Sequence, residues 1–236
     1  MSLYVIGDLH LSLGSNKPMD IFGGWHNYLE KLEENWRRLV RPEDGIVLAG
    51  DSSWGMTLEE SLRDFQYLQG LPGRKYLIKG NHDYWWGSAR KMQLFFEENG
   101  LDSLKILHNN CAEEEGLILC GTRGWLFENG AAFDQKIVNR EAGRLEMSLK
   151  ASQGMEGERV VFLHYPPLFG DQVLPEFIDL MEEWKVRRCY YGHLHGNACR
   201  IAFNGSYRGI RFQLVSADGL GFCPLLVPAG KSGGNR

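Results

Sequence analysis

"YVIGDLH", Tyr4 to His10, sets an aspartate and a histidine two residues apart at the end of an apolar run. Strand side chains alternate between faces, so residues at i and i+2 point the same way and can converge on one ion. The pair alone says little, because every strand that leaves a core must meet polar residues. It acquires meaning by recurring. "GIVLAGD" ends at Asp51, "YLIKGNHD" delivers Asn81, His82 and Asp83, "VVFLH" ends at His164, and "CYYGHLH" supplies His193 and His195. Five of the seven histidines lie in these segments. In an open α/β sheet, ligands bind beyond the carboxyl ends of strands, so residues far apart in sequence can share one site. One strand-end aspartate is ordinarily a cap and one histidine ordinarily packs, but the five segments together point to a metal centre. A glycine stands immediately before Asp8, Asp51, Asn81 and His193, as tight turns that bring backbone and ligand close require.

The apolar runs themselves are Leu3 to Ile6, Ile46 to Ala49, Tyr76 to Ile78, Leu117 to Cys120, Val160 to Leu163 and Cys189 to Tyr191. Short, β-branched and almost continuously apolar, they read as strands covered on both faces. Helical patterns separate several of them. Trp25, Tyr28, Leu29, Leu32, Trp36, Leu39 and Val40 recur at helical spacing and form a core-facing stripe. A second helix is predicted from Thr57, with Glu60 completing a capping box, to the turn at Leu71-Pro72-Gly73. A third spans Ser88 to Asn99 before Gly100, a fourth covers 134–152, and a short fifth follows Pro175. In "RIAFNGSYRGIRFQLVS", Asn204-Gly205 resembles a hairpin turn, which puts an antiparallel edge on the sheet. The pattern predicts one α/β domain over 1–228 and a disordered Gly-rich tail over 229–236. Residues 11–24 read as an irregular connection close to Asp8 and His10.

With 236 residues, 43% of them apolar, the chain can bury one large core. The net charge of −4 gives no electrostatic footprint for nucleic acid, so a duplex binder is disfavoured. Five cysteines without C-x-x-C spacing suit reduced thiols in the cytosol. "LYVIG" is too short for a signal-peptide core or a membrane span, and the sequence reads as a cytoplasmic protein without membrane partners.

Taken in order, GDLH, GD, GNHD, H and GHLH resemble the calcineurin-like metallophosphoesterase superfamily, and the small bacterial phosphodiesterase-like members in particular. The resemblance spans residues 7 to 195 and implies a four-layer αββα sandwich of mixed sheets, with the active site at the strand C-terminal ends. It implies two divalent or trivalent transition metal ions: Asp8, His10 and His195 on one, Asn81, His164 and His193 on the other, and Asp51 bridging. His82 would sit beside them, contacting the substrate and protonating the leaving oxygen. Mixed nitrogen and oxygen donors suit manganese, iron or zinc better than calcium, and an all-oxygen magnesium site is excluded. Two such ions offset by Asp8 and Asp51 leave about +2 of charge, and they hold a hydroxide poised to attack phosphorus. The implied activity is hydrolysis of phosphomonoesters or phosphodiesters of small molecules, with nucleotides among them. A non-catalytic scaffold, a nuclease of the same superfamily and a protein phosphatase are the alternatives. The phosphoprotein phosphatases carry GDxxDRG, whereas "GDSSWG" here puts Trp54 and Gly55 at the second aspartate and the arginine. Asp83 is then the candidate partner for His82. Trp54, Tyr84, Trp85 and Trp86 are read as loop packing before base stacking, and Lys79, Arg90 and Arg123 as surface charges before phosphate ligands.

Overall fold

The computed structural model describes residues 1–125 and 134–230. Its elements, in chain order, begin with β1 (Leu3–Ile6), α1 (Tyr28–Leu39), β2 (Gly45–Leu48), α2 (Leu62–Gln69), β3 (Arg74–Leu77), α3 (Ala89–Glu98) and β4 (Leu104–Ile106). There follow β5 (Cys111–Glu114), β6 (Leu117–Thr122), α4 (Gln135–Ala151), β7 (Glu158–Leu163), the short pair β8 (Leu168–Phe169) and β9 (Gln172–Val173), and α5 (Pro175–Glu183). The chain then runs through β10 (Arg188–Tyr191), α6 (Ala198–Ile201), β11 (Gly205–Tyr207), β12 (Ile210–Leu214) and β13 (Leu225–Val227).

Two mixed sheets result. One has the order β13-β1-β2-β3-β4, the other β11-β12-β10-β7-β6-β5. The central strands are parallel; β13, β11 and β5 pair antiparallel at the edges. Strand pleating distributes the apolar runs over three cores. In β2, Ile46 and Leu48 face α1, α2 and α3, while Val47 faces the other sheet. In β7, Val160 and Phe162 face that same inter-sheet layer, while Val161 and Leu163 meet α4 and α5. Helix, sheet, sheet, helix is therefore the order of layers. A strand buried on both faces needs apolar residues at successive positions, which is why these runs do not alternate with polar ones.

The elements depart from the sequence pattern at several places. Trp25, placed by its spacing on the first helical stripe, precedes α1, which begins at Tyr28, although it is buried in the same core. Half of the Thr57 capping box forms: Glu60 N–H donates to Thr57 Oγ1 at 3.2 Å, but the Glu60 carboxylate accepts the Met56 N–H at 2.8 Å, and regular helix begins only at Leu62. Leu62 N–H donates to Glu59 O, an i to i+3 bond of the tighter turn that often opens a helix. The hairpin turn is not at Asn204-Gly205. Arg208 and Gly209, with φ of 48° and 76°, join β11 to β12, because a two-residue hairpin needs two left-handed residues whose twist matches the strands. Asn204 instead accepts the Leu214 N–H through Oδ1 at 2.8 Å, next to the end of the ladder. From residue 231 on, the tail expected to be disordered lies outside the described residues.

Trp36 anchors the outer helical layer, wholly buried, its Nε1–H donating to Pro72 O at 2.9 Å. Trp36→Ala is expected to lower stability by about 3–5 kcal/mol, read from the midpoint of urea unfolding, because it leaves a cavity and an unpaired carbonyl.

Candidate metal centre

The first motif does not work by strand pleat. β1 ends at Ile6, and Asp8 and His10 both lie beyond it in left-handed backbone, with φ of 58° and 47°. Asp51 and His193 share the conformation, at 51° and 74°. Each costs on the order of 1–3 kcal/mol for a residue with a side chain and persists only where its surroundings enforce it. Backbone bonds do so here: Asp8 N–H donates to Gly50 O, His10 N–H to Asp51 O, and Gly7 N–H to Val215 O. Two glycines are dictated by the same crowding. A Cβ on Gly80 would stand 1.9 Å from Asp51 Oδ1, and one on Gly192 would stand 2.3 Å from Asp8 Oδ2.

These loops bring together all seven side chains that the sequence singled out as ligands. His10 Nε2 and His195 Nε2 approach to 3.1 Å, and Asp8 Oδ1 is 3.6 Å from His195 Nε2. Asn81 Oδ1 lies 2.5 Å from His164 Nε2 and 3.0 Å from His193 Nδ1. Asp51 Oδ2 stands between these halves, 3.8 Å from His10 Nε2 and 3.6 Å from His164 Nε2. His164 directs Nδ1 to Ala49 O at 3.1 Å, which leaves the lone pair on Nε2, the atom turned to Asn81 and Asp51. Asp8 with His10 and His195, and Asp8 with Asp51 and His164, form clusters compact enough to hold a metal ion.

The electrostatics fit that occupant. Burial pushes the Asp8 and Asp51 carboxyls well above the usual range, with His195 and His82 respectively pulling them back. Burial pulls His164 down to about 3 and His193 to about 2, reinforced by the neighbouring imidazoles. Neutral imidazole is the form that ligates, and a dication would draw the carboxylates to their anionic form. His10 is likewise held far below its ordinary value, and its buried Nδ1 has no hydrogen-bond partner among the described residues. Converging nitrogen lone pairs and carboxylate oxygens in a buried pocket are a donor set for a transition metal.

Asp83 does not orient His82. Its carboxylate, fully buried, accepts the N–H groups of Asp51 (2.9 Å), Ser52 (2.9 Å), Ser53 (3.4 Å) and Gly80 (2.7 Å), and the indole N–H of Trp85 at 3.0 Å. Every acceptor direction is occupied by these donors, so none is left for the ring next along the chain. His82 is instead gripped by Trp54, whose ring lies 4.4 Å from it and also stacks on His10 at 4.9 Å. Its backbone N–H donates to Asp51 Oδ1 at 2.8 Å, and its buried Nδ1 meets no partner among the described residues. Trp85 and Trp86 pack as loop residues, against Phe65 and His108 respectively, while Tyr84 remains exposed. Arg123 is spent on the buried Glu141, its Nη2 at 3.1 Å from Oε1.

One residue escaped sequence reasoning. Asp218 Oδ1 lies 3.0 Å from His195 Nδ1, and its Oδ2 accepts the Gly196 N–H at 2.8 Å. Burial works against the charge on His195, but the hydrogen bond to Asp218 and the charge of Asp8 outweigh it and raise the group to about 9. The signal was available: β12 runs out through Val215-Ser216-Ala217 into Asp218, the same strand-end grammar as the other segments.

This fold and this cluster define a class of protein, the metal-binding α/β sandwiches whose strand ends converge on one polar site. More narrowly, the chain belongs to the calcineurin-like phosphoesterase family, whose model matches residues 1–197. Solved structures agree on the fold. A protein of unknown function from Aquifex aeolicus is 15% identical, with 95% of each chain covered and a TM-score of 0.51. A phosphopantetheinyl hydrolase from Mycobacterium tuberculosis is 18% identical over 91% of this chain and 88% of that one, with a TM-score of 0.54. The TT1561 protein of Thermus thermophilus is 12% identical over 82% and 81%, with a TM-score of 0.53. No curated protein sequence matches the chain. Among the described residues no helix is long and apolar enough to cross a membrane.

Asp83→Asn replaces one acceptor oxygen with a donor that faces backbone N–H groups. It is expected to cost about 2–4 kcal/mol in urea unfolding, more than a typical surface substitution, because several buried donors lose their partner together.

Proposed function

We propose that the chain is a metal-dependent hydrolase of small phosphoesters that uses two transition metal ions, with manganese, iron or zinc as the fitting identities. The observation that carries this reading is the position of Asp51, one carboxylate oxygen within 4 Å of a nitrogen from each of the two histidine groups. Asp8, His10 and His195 would hold one ion, Asn81, His164 and His193 the other, and Asp51 would serve both. When bound, such ions lower the pKa of water and draw electrons from phosphoryl oxygens, so the reaction needs no covalent enzyme intermediate.

The chain's own groups do the remaining work. His82, held by the Trp54 ring and by its backbone bond to Asp51, stands on the cavity side and can give a hydrogen bond or a proton to the departing oxygen. The Ala49 carbonyl keeps His164 in the tautomer that presents Nε2. Asp218 does the corresponding service for His195, accepting from Nδ1 and leaving Nε2 for the ion.

Elemental analysis after reloading with manganese should find about two ions per chain, and prolonged chelation should abolish hydrolysis of an aryl phosphate. Asp51→Asn should lose both metal and activity. His82→Ala should keep its metal while kcat falls by roughly 10²–10⁴-fold, the usual range for a proton-transfer residue. Unchanged turnover in both variants, assayed with metal present, would sink the reading. Asp218→Asn should weaken one of the two binding steps in a manganese titration by about 10–100-fold and leave the other in place.

A further inference from the structure

The cavity over the histidines is polar on one side and made of carbon on the other. It holds about 460 Å³, with His10, Asp51, His193, His195 and His82 as its floor and Met19, Phe22, Trp25 and Trp54 as its wall. That volume is far larger than a phosphoryl group needs and falls in the range of small-molecule sites. Met19, Phe22 and Trp25 come from the irregular segment between β1 and α1, pinned at one end where Leu13 N–H donates to Asp64 Oδ1 at 2.7 Å. Met19 and Trp25 are buried, but Phe22 is 54% exposed and Ile21 beside it 73%. Large apolar side chains left in water at the mouth of a polar site are candidates for contact with a ligand.

The wall carries little with which to read a polar partner. Trp54 Nε1–H is committed to Met19 Sδ at 3.2 Å. Its ring is stacked on His10 and capped by the Lys17 ammonium, 4.8 Å from the centroid. Lys17 itself turns back onto Trp54 O and Met56 Sδ. Asp218 is taken by His195 and Gly196. A site that reads a nucleobase presents several free hydrogen-bonding groups to its edge; Trp54, Lys17 and Asp218 have theirs in use, which leaves the Trp25 indole N–H as the wall's side-chain donor among the described residues. What they present is apolar area.

Resting on the hydrolase reading above, we propose that Met19, Phe22 and Trp25, with Trp54, form the leaving-group subsite, and that the substrate is a phosphoester of an uncharged, apolar alcohol or phenol. The phosphoryl oxygens face the histidine floor, so the rest of the molecule extends along the wall toward Phe22. Hydrolysis breaks the P–O bond to that apolar group; water supplies the hydroxyl to phosphorus and the proton to the departing alcohol.

The test separates binding from turnover. Dissociation constants of n-alkylphosphonates from methyl to hexyl, whose C–P bond is not cleaved, are measured by tryptophan fluorescence on manganese-reloaded protein. Affinity is expected to rise roughly three- to fourfold per methylene while the chain covers the wall. Phe22→Ser, at an exposed position that the fold tolerates, should flatten that slope by half or more. A flat series in the natural protein overturns the proposal, as does an equally steep one in Phe22→Ser, or tighter binding of adenosine monophosphate than of hexylphosphonate. A steep series in a protein that hydrolyses no phosphoester supports the subsite and overturns the hydrolase reading; a flat series in an active enzyme does the reverse.

Discussion

The Asp83 carboxylate is the tie on which the arrangement depends. It gathers the backbone N–H groups of Asp51, Ser52 and Ser53, just past β2, and that of Gly80, just past β3. Two adjacent strand ends are thereby locked to one point. Only with that lock can Asp51 be held in left-handed backbone with its side chain aimed between two groups of histidines. Folding must supply the strain at Asp8, His10, Asp51 and His193 from elsewhere, and the source is the burial of almost continuously apolar strands in three cores.

A second tie joins the sheets themselves. Gly7, at the end of β1, bonds to Val215 and Ala217 beyond β12, which belongs to the other sheet. The segment that follows carries Asp218 to His195, while Gly192 N–H donates to His164 O within the second sheet. Candidate ligands contributed by different sheets are thus positioned by hydrogen bonds that cross between them, and the inter-sheet layer of Val5, Val47, Phe162 and Tyr190 sets their separation. Two carboxylates buried this deeply cost energy unless a cation balances them, so the fold of these loops and the binding of metal are coupled.

Strand identity and the convergence of these side chains on one place were legible in the sequence for one reason. A parallel strand buried on both faces writes a short apolar run, and a candidate ligand at its carboxyl end writes an abrupt polar residue after glycine, as at Asp8, Asp51, Asn81 and His193. What stayed hidden obeys longer-range rules. β13 and β5 are edge strands whose pairing depends on partners far along the chain, and the β11–β12 turn was misplaced because Asn-Gly is the commoner turn pair. Asp83 looked like a partner for its neighbour His82, but its orientation is decided by four backbone donors that no local pattern reveals. Asp218 sits after a strand like the others and lacks only the histidine that made them conspicuous.

Trp54 is one place where this chain parts from the protein phosphatases, whose GDxxDRG motif has an aspartate there. An aspartate at that position fixes a histidine through a hydrogen bond, which is directional and constrains one ring nitrogen. An indole holds it by tilted ring contact, with 46° between the planes, which confines the ring and leaves Nδ1 without a partner among the described residues. The same ring stacks on His10, so one side chain sets the attitude of a candidate ligand and of the candidate proton donor together. An aspartate would have added negative charge beside Asp51; the indole adds apolar surface to the cavity wall instead. The presence of an aromatic ring where a carboxylate could stand therefore bears on positioning, charge and pocket lining at a single position, since it holds two imidazoles, leaves the site less negative and supplies carbon to the cavity wall.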